Sequence, residues 1–372
     1  MIFFREVEDS VANVPATHPP GTTATLARMN QSLFHSGELA AQALAGVSSP
    51  NAAIRDWLPD QHRAFFGLLP FLPIATAGAD GVPVATILTG APGFITSHGA
   101  NTLHIAARPD GQDPVAPFLV PNAPIGTLGI DLATRRRNRA NGTLRSIGPH
   151  GMTVSVTQSF GKRPQYIQTR IWHDGTVAPR PVEPLTGLDS AASRMTGDAD
   201  TFFVASTGGG GAGGVDISHR GGRPGFIGID GDTLTIPDFH GNHYFNTLGN
   251  LISDRRAALL FVDWTDGTLL QLRGDAEILW DQDGGFACCG FRSPAAGGGA
   301  AHCHYAGRFK PMRRNSCERA SGTKRRCRRY ESLSARPPHQ PRARYHRPRL
   351  PEGSAPSAAG ITEPPAVDSA GR

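Results

Sequence analysis

The sequence predicts a mainly β chain made of two tandem copies of one unit, and three observations carry the prediction. Short motifs recur at a nearly fixed spacing, β-branched and aromatic runs of strand length alternate with glycine-rich turn signals, and helical periodicity is confined to a few short stretches.

A fixed period decides architecture, and this chain has one. Pro92-Gly93-Phe94-Ile95 recurs as Pro224-Gly225-Phe226-Ile227, a shift of 132. Asn101-Thr102-Leu103-His104-Ile105 recurs as Asp232-Thr233-Leu234-Thr235-Ile236, a shift of 131 that one loop residue explains. Leu128-Gly129-Ile130-Asp131 aligns with Leu260-Phe261-Val262-Asp263, and the match runs without a gap to Gly142 and Gly274, again shifted by 132.

The elements follow in chain order. Helices are expected over 36–46, over 60–69, where Phe65, Phe66 and Leu69 share a face, over 189–198 in the equivalent place before the second copy, and over 245–253, with Leu248, Leu251 and Ile252 on one side. Residues 202–207 form an apolar, β-branched strand, and the glycines of 208–214 supply the positive-φ turn that ends it. Residues 226–229 and 233–236 read as a hairpin around Asp230-Gly231-Asp232. A buried strand over 257–263 turns at 265–267 into another over 269–272. Short strands spaced by turns indicate a small barrel or sandwich.

This divides the chain into a loose lead-in (1–33), a first copy with its N-terminal helices (34–175), a second copy (176–282) and a tail (283–372). The tail differs in kind: residues 281–372 carry 17 Lys+Arg against 7 Asp+Glu, a net of +10, whereas residues 1–280 carry 20 against 24, a net of −4. All five cysteines, Cys288, Cys289, Cys303, Cys317 and Cys327, also lie there. The body therefore has to be held by an apolar core, without disulfides or thiolate metal sites. Cysteine and histidine spacings in the tail match no compact zinc finger, so no metal site is expected. Its Arg, Pro, Ala and Gly composition fits a disordered basic arm or a GC-rich gene read in the wrong frame. No run approaches the roughly 18–20 apolar residues of a membrane span, and the N-terminus lacks a secretory signal. A cytoplasmic protein with no membrane and no nucleic-acid partner is expected, the mildly acidic body offering no basic face.

The segments Ser218-His219-Arg220-Gly221-Gly222-Arg223, Asp238-Phe239-His240-Gly241-Asn242-His243-Tyr244-Phe245-Asn246-Thr247 and Leu259-Leu260-Phe261-Val262-Asp263-Trp264 bring a known family into view. So do Gln158-Ser159-Phe160-Gly161-Lys162-Arg163-Pro164 and Phe34-His35-Ser36-Gly37-Glu38. Over residues 34–280 the chain resembles the flavin-nucleotide-binding proteins related to pyridoxamine 5′-phosphate oxidase, in particular their tandem members. The resemblance implies two tandem split β-barrels forming a pseudo-dimer, with flavin mononucleotide (FMN) in the groove between them. It also implies a flavin-dependent oxidoreductase supplied by a reductase or nicotinamide donor. A monomer with an internal pseudo-two-fold, or a homodimer, would satisfy it. In the oxidase itself an Arg-Lys pair stands where this chain has Asn246 and Thr247, so strict oxidase activity is not expected. Neutral hydrogen bonds in that place are roughly half as strong as charge-assisted ones.

Three stretches supply the candidate cofactor-binding residues. Ser218, His219, Arg220, Gly221 and Arg223 combine cations, a hydroxyl and approachable backbone, as a phosphate or ring clamp needs; a solvated turn is the alternative. Asn242, Asn246, Thr247 and Asn250 would supply phosphate and ribityl contacts, or merely cap a helix. Arg136 and Arg137 fall where the family's flavin-contacting strand lies, although Arg135, Arg137 and Arg139 on one face equally describe a charged edge strand. Residues 158–167 either close the groove or pack as a connector. No catalytic base stands out. Two rival readings remain: a non-catalytic flavin carrier or interaction module that has lost its reductase partner, and haem or deazaflavin in the same groove.

Overall fold

The computed structural model describes residues 33–47, 53–162, 164–172, 182–208 and 214–280, with the strands Ala287–Arg292, Ala301–Cys303 and Met312–Arg314. All of these lie in one compact unit, Met1–Ser321. The lead-in up to residue 32 and most of the tail, with the side chains of its cysteines, lie outside the described residues.

Helix Ser36–Leu44 (α1) opens the described chain. The first module then runs through Asp60–Gly67 (α2), Phe71–Ala77 (β1), Pro83–Thr89 (β2), Ile95–Gly99 (β3), Thr102–Ile105 (β4), Pro124–Asp131 (β5), Arg136–Gly148 (β6) and Gly151–Lys162 (β7). Two short strands, Arg170–Trp172 (β8) and Glu183–Leu185 (β9), lead to the second module. That module consists of Ser190–Asp198 (α3), Thr201–Thr207 (β10), Val215–Gly221 (β11), Gly228–Asp230 (β12), Thr233–Pro237 (β13), Asn246–Ser253 (α4), Arg256–Val262 (β14), Leu269–Trp280 (β15) and Ala287–Arg292 (β16). Ala301–Cys303 (β17) pairs with β9 and Met312–Arg314 (β18) with β8.

The fold is mainly β, as expected, and the two seven-stranded antiparallel sheets follow one path. Their orders, β2-β1-β5-β6-β7-β4-β3 and β11-β10-β14-β15-β16-β13-β12, correspond strand by strand. Neither sheet closes on itself. Equivalence extends to single bonds: Gly93 N donates to Gly67 O and Gly225 N to Gly197 O, each at 2.8 Å. Both turn glycines sit at positive φ, 95° and 83°, a conformation that excludes most side chains. The module boundary expected at 282 shifts, because β16 lies between β15 and β13 and completes the second sheet. A short run lacking alternation concealed that strand.

Three apolar cores explain the arrangement. Leu72, Ile74, Ile105, Ile125, Leu144 and Val154, drawn from both ends of the first sheet, meet inside it, so the sheet curls around its own core. Phe202, Val204, Leu234, Leu259, Phe261 and Leu272 do the same in the second. The third core lies between modules, where Phe71, Ala75, Leu128 and Ile130 pack against Phe203, Ala205, Leu260 and Trp264. Strands β1 and β10 are thus apolar on both faces, which is why their sequences show continuous runs. Each fully buried Phe or Leu contributes about 1.5–3 kcal/mol, so the seam is a core in its own right.

Candidate functional site

Polar residues interrupt this apolar seam at one end. Arg139 on β6 is fully buried, and its guanidinium reaches the second module. It donates to Asp216 Oδ1 at 2.6 Å, to Ile217 O at 2.9 Å and to Ser218 Oγ, and it lies 5.2 Å over the Phe160 ring. Asn141 Nδ2 also donates to Asp216 Oδ1, at 2.6 Å, while Asn250 Nδ2 donates to Asp216 Oδ2 at 3.1 Å and to Ser206 Oγ at 3.0 Å. The network continues into α1: His35 Nε2 meets Asn250 Oδ1 at 2.8 Å, and Asn246 Nδ2 donates to Glu38 Oε1. Burial, helped by the Asp216 charge, raises the Glu38 carboxyl above its ordinary value. Burial likewise pulls Arg139 down, although Asp216 and Glu38 oppose it.

Helix α1 is placed by its own sequence. His35 and Glu38 form a reciprocal capping box, and Gly37 faces Gly249 of α4 so closely that a Cβ on either would collide with the other helix. The end of α1 then forms one wall of a cleft of about 620 Å³, within the roughly 300–1,000 Å³ usual for small-molecule sites. Opposite stand Arg137 from the first module, residues 218–221 of β11, and the loop 237–247 that leads into α4.

The cleft has a cationic part and an aromatic part. Arg137 Nη1 donates to His219 Nδ1 at 3.1 Å; since a guanidinium only donates, that nitrogen is the acceptor. Burial, with repulsion from Arg139 and Arg220, pushes Arg137 down to about 10. Arg220 is ion-paired with Asp238. On the aromatic side Tyr166 stacks on Phe239 at 5.1 Å and His243 on Phe245 at 6.2 Å, and the His240 and His243 nitrogens approach to 3.1 Å. Asn242 Nδ2, Asn246 Oδ1 and Gln165 Oε1, buried polar atoms of lining residues, have no hydrogen-bond partner among the described residues.

Of the residues expected from sequence, Ser218, His219, Arg220, Gly221, Asn242, Asn246, Thr247 and Arg137 come together here. Three do not. Arg136 points to the other face of β6, its guanidinium 4.9 Å over the Phe65 ring, as strand alternation requires. Arg223 is exposed in the turn before Gly225. Asn250 is fully buried, its amide committed to Ser206, Asp216 and His35. From the connector, Gln165 and Tyr166 line the cleft while Ile167 enters the core between modules; the side chains of Lys162 and Arg163 lie outside the described residues. Arg139 and Asp216 went unselected, though the alternation that places Arg137 points to Arg139 as well.

The pseudo-symmetric counterpart of this cleft is chemically different. Pairing of Thr201 with Gly221 and of Phe71 with Thr89 makes β2 equivalent to β11 at a shift of 132. His219 and Arg220 then correspond to Ile87 and Leu88, and Arg137 and Arg139 to Leu269 and Gln271. These three apolar replacements are buried. Asp113 fills the polar centre, accepting from Thr86 Oγ1 at 2.5 Å and Gln271 Nε2 at 3.4 Å. Burial raises its carboxyl above the ordinary value.

No helix among the described residues is long and apolar enough to cross a membrane. No protein-family model matches the chain, and no curated protein sequence matches it. Two solved structures show similarity: the Bacillus subtilis inhibitor of motility MotI/DgrA, at 8% identity over 60% of this chain and 87% of that one, and the K. pneumonia MrkH–c-di-GMP complex, at 12% identity over 64% and 80%. The TM-score is 0.18 in both cases, too low for either to bear on fold or function.

Proposed function

We propose that the cleft binds a phosphorylated planar cofactor, FMN, and that the protein is a flavin-dependent oxidoreductase of the pyridoxamine 5′-phosphate oxidase-like type. The observation that carries this reading is Arg137, a half-buried guanidinium pushed down to about 10 beside two further guanidiniums at the edge of a ligand-sized cleft. A bound phosphate would relieve that repulsion through charge-assisted bonds, which contribute about 1.5–3 kcal/mol each. Arg137 and Arg220 would hold the phosphate, and Tyr166, Phe239 and Phe245 would flank the ring. The bound flavin supplies redox capacity that side chains lack, while the chain binds, orients and shields it. A cytoplasmic location, a reductase or nicotinamide donor and a single chain acting as its own pseudo-dimer fit this reading.

The test is spectral. The purified protein, or protein given FMN, should be yellow with the absorbance of oxidised flavin. Arg137→Ala should weaken FMN by tenfold or more, and riboflavin, which lacks the phosphate, by much less. Failure to take up FMN would overturn the proposal; a Soret band would instead direct attention to haem at His240 and His243. Oxidation of reduced nicotinamide by the yellow form would separate an enzyme from a carrier.

A further inference from the structure

The amide orientations in the cleft are fixed from outside it. Asn246 donates through Nδ2 to Glu38 Oε1, and Glu38 Oε2 accepts from His35 N at 3.0 Å, so both carboxylate oxygens are occupied as acceptors. A carboxylate only accepts. Asn246, which is 4% exposed, must therefore turn its Oδ1 away from Glu38, and this atom is buried in the cleft lining without a partner. Asn242 is fixed in the opposite sense: its Oδ1 accepts from Tyr244 N at 3.2 Å, which leaves Nδ2 as the group without a partner. One acceptor and one donor are thus left unsatisfied in two residues that line the cleft, and a buried polar atom left so costs about 1–3 kcal/mol.

We infer that Asn246 Oδ1 accepts a hydrogen bond from a ring N–H of the ligand, that Asn242 Nδ2 donates to a ring carbonyl, and that Glu38 is the positioning residue that fixes the Asn246 amide. The inference rests on the flavin reading and assigns these asparagines to the ring edge instead of the phosphate. On the isoalloxazine the matching group is the imide, whose N3–H is flanked by two carbonyls. Specificity follows from the same geometry: an analogue without the N–H strands Asn246 Oδ1 against a dry wall, and such losses are far larger than those from apolar trimming.

The experiment compares FMN with 3-methyl-FMN, in which a methyl group replaces the N3 hydrogen, by fluorescence titration. Wild type should bind the methylated cofactor at least tenfold more weakly. In Asn246→Ala, FMN itself should weaken and the methylation penalty should fall to threefold or less. Glu38→Gln, which leaves one acceptor oxygen for two donors, Asn246 Nδ2 and His35 N, should show a penalty between that of wild type and that of Glu38→Ala, which should lose it. FMN binding without any penalty for N3 methylation would overturn the inference and leave the flavin reading intact. A full penalty persisting in Asn246→Ala would overturn it too, because steric crowding by other residues would then be the cause. No binding of FMN by wild type would sink the flavin reading and this inference with it. Because the ligand carries the change, the wild-type comparison stands even if a variant fails to fold.

Discussion

Arg139 sets the energetics of the site at the scale of single residues. It is fully buried, and Asp216 supplies the nearest compensating charge, at 2.6 Å. Removing one partner of a buried ion pair leaves a stranded charge, which costs about 3–5 kcal/mol. Asp216→Ala should lower stability by that amount in urea denaturation, whereas Asp216→Asn, which keeps an acceptor for the guanidinium, should cost clearly less. Equal losses in the two variants would show that charge compensation is not what holds the network. Arg137 was chosen in the sequence with Arg136 through the family resemblance, and Ser218, His219 and Arg220 through their chemistry; strand alternation separates Arg137, at the cleft, from Arg136. Arg136, Arg223 and Asn250 lie outside the cleft, and the sequence does not show this because a cation or amide looks the same whether it faces a cleft, the solvent or an internal carboxylate. The linkage of His35 and Glu38 to Asn250 and Asn246 spans more than 200 residues of chain, with sequence separations of 215 and 208. No local pattern encodes such a contact.

Among elements, the helices were readable from apolar spacing and from the repeat. Residues 60–69 and 189–198 became Asp60–Gly67 and Ser190–Asp198, the latter capped by the Asp189 side chain on Ala192 N at 2.7 Å. The strands of the first module were read mainly through the repeat; the start of β6 was anticipated, but its far half and β7 escaped because polar residues and register shifts break alternation there. The docking of α1 on α4 was invisible, since it depends on the mutual absence of side chains at Gly37 and Gly249. Gly249→Val would force the helices apart at the cleft wall. Overpacking typically costs about 1–3 kcal/mol, so this variant should melt several degrees lower and bind FMN more weakly. Gly111→Ala, where an added Cβ meets nothing within 4 Å, is the neutral comparison. A Gly249→Val protein with unchanged melting and unchanged affinity would show that α1 does not form the wall.

Over the whole molecule, duplication has produced two equivalent folds, but among the described residues the polar cleft of one side has a largely apolar, packed counterpart on the other. A symmetric pair of such modules has two symmetry-related grooves. Here the cations of one groove, Arg137, Arg139 and Arg220, are answered in the other by Leu269, Gln271 and Leu88, with Ile87 in place of His219. Leu269 is 1% exposed and Leu88 is 2% exposed, so that side is already packed, and opening it would strip contacts worth about 1.5–3 kcal/mol per side chain. It would also bring a cofactor phosphate next to Asp113, whose raised carboxyl reflects a site already poor at holding negative charge. Absorbance titration should therefore saturate at one FMN per chain, and Arg137→Ala should weaken all of the binding. Two equivalents per chain, or one equivalent untouched by Arg137→Ala, would place the ligand outside the cleft. Retention of both modules has a physical reason independent of the number of sites: each half covers the apolar face of the other, so neither can be discarded without exposing the core formed by Phe71, Leu128, Phe203 and Leu260.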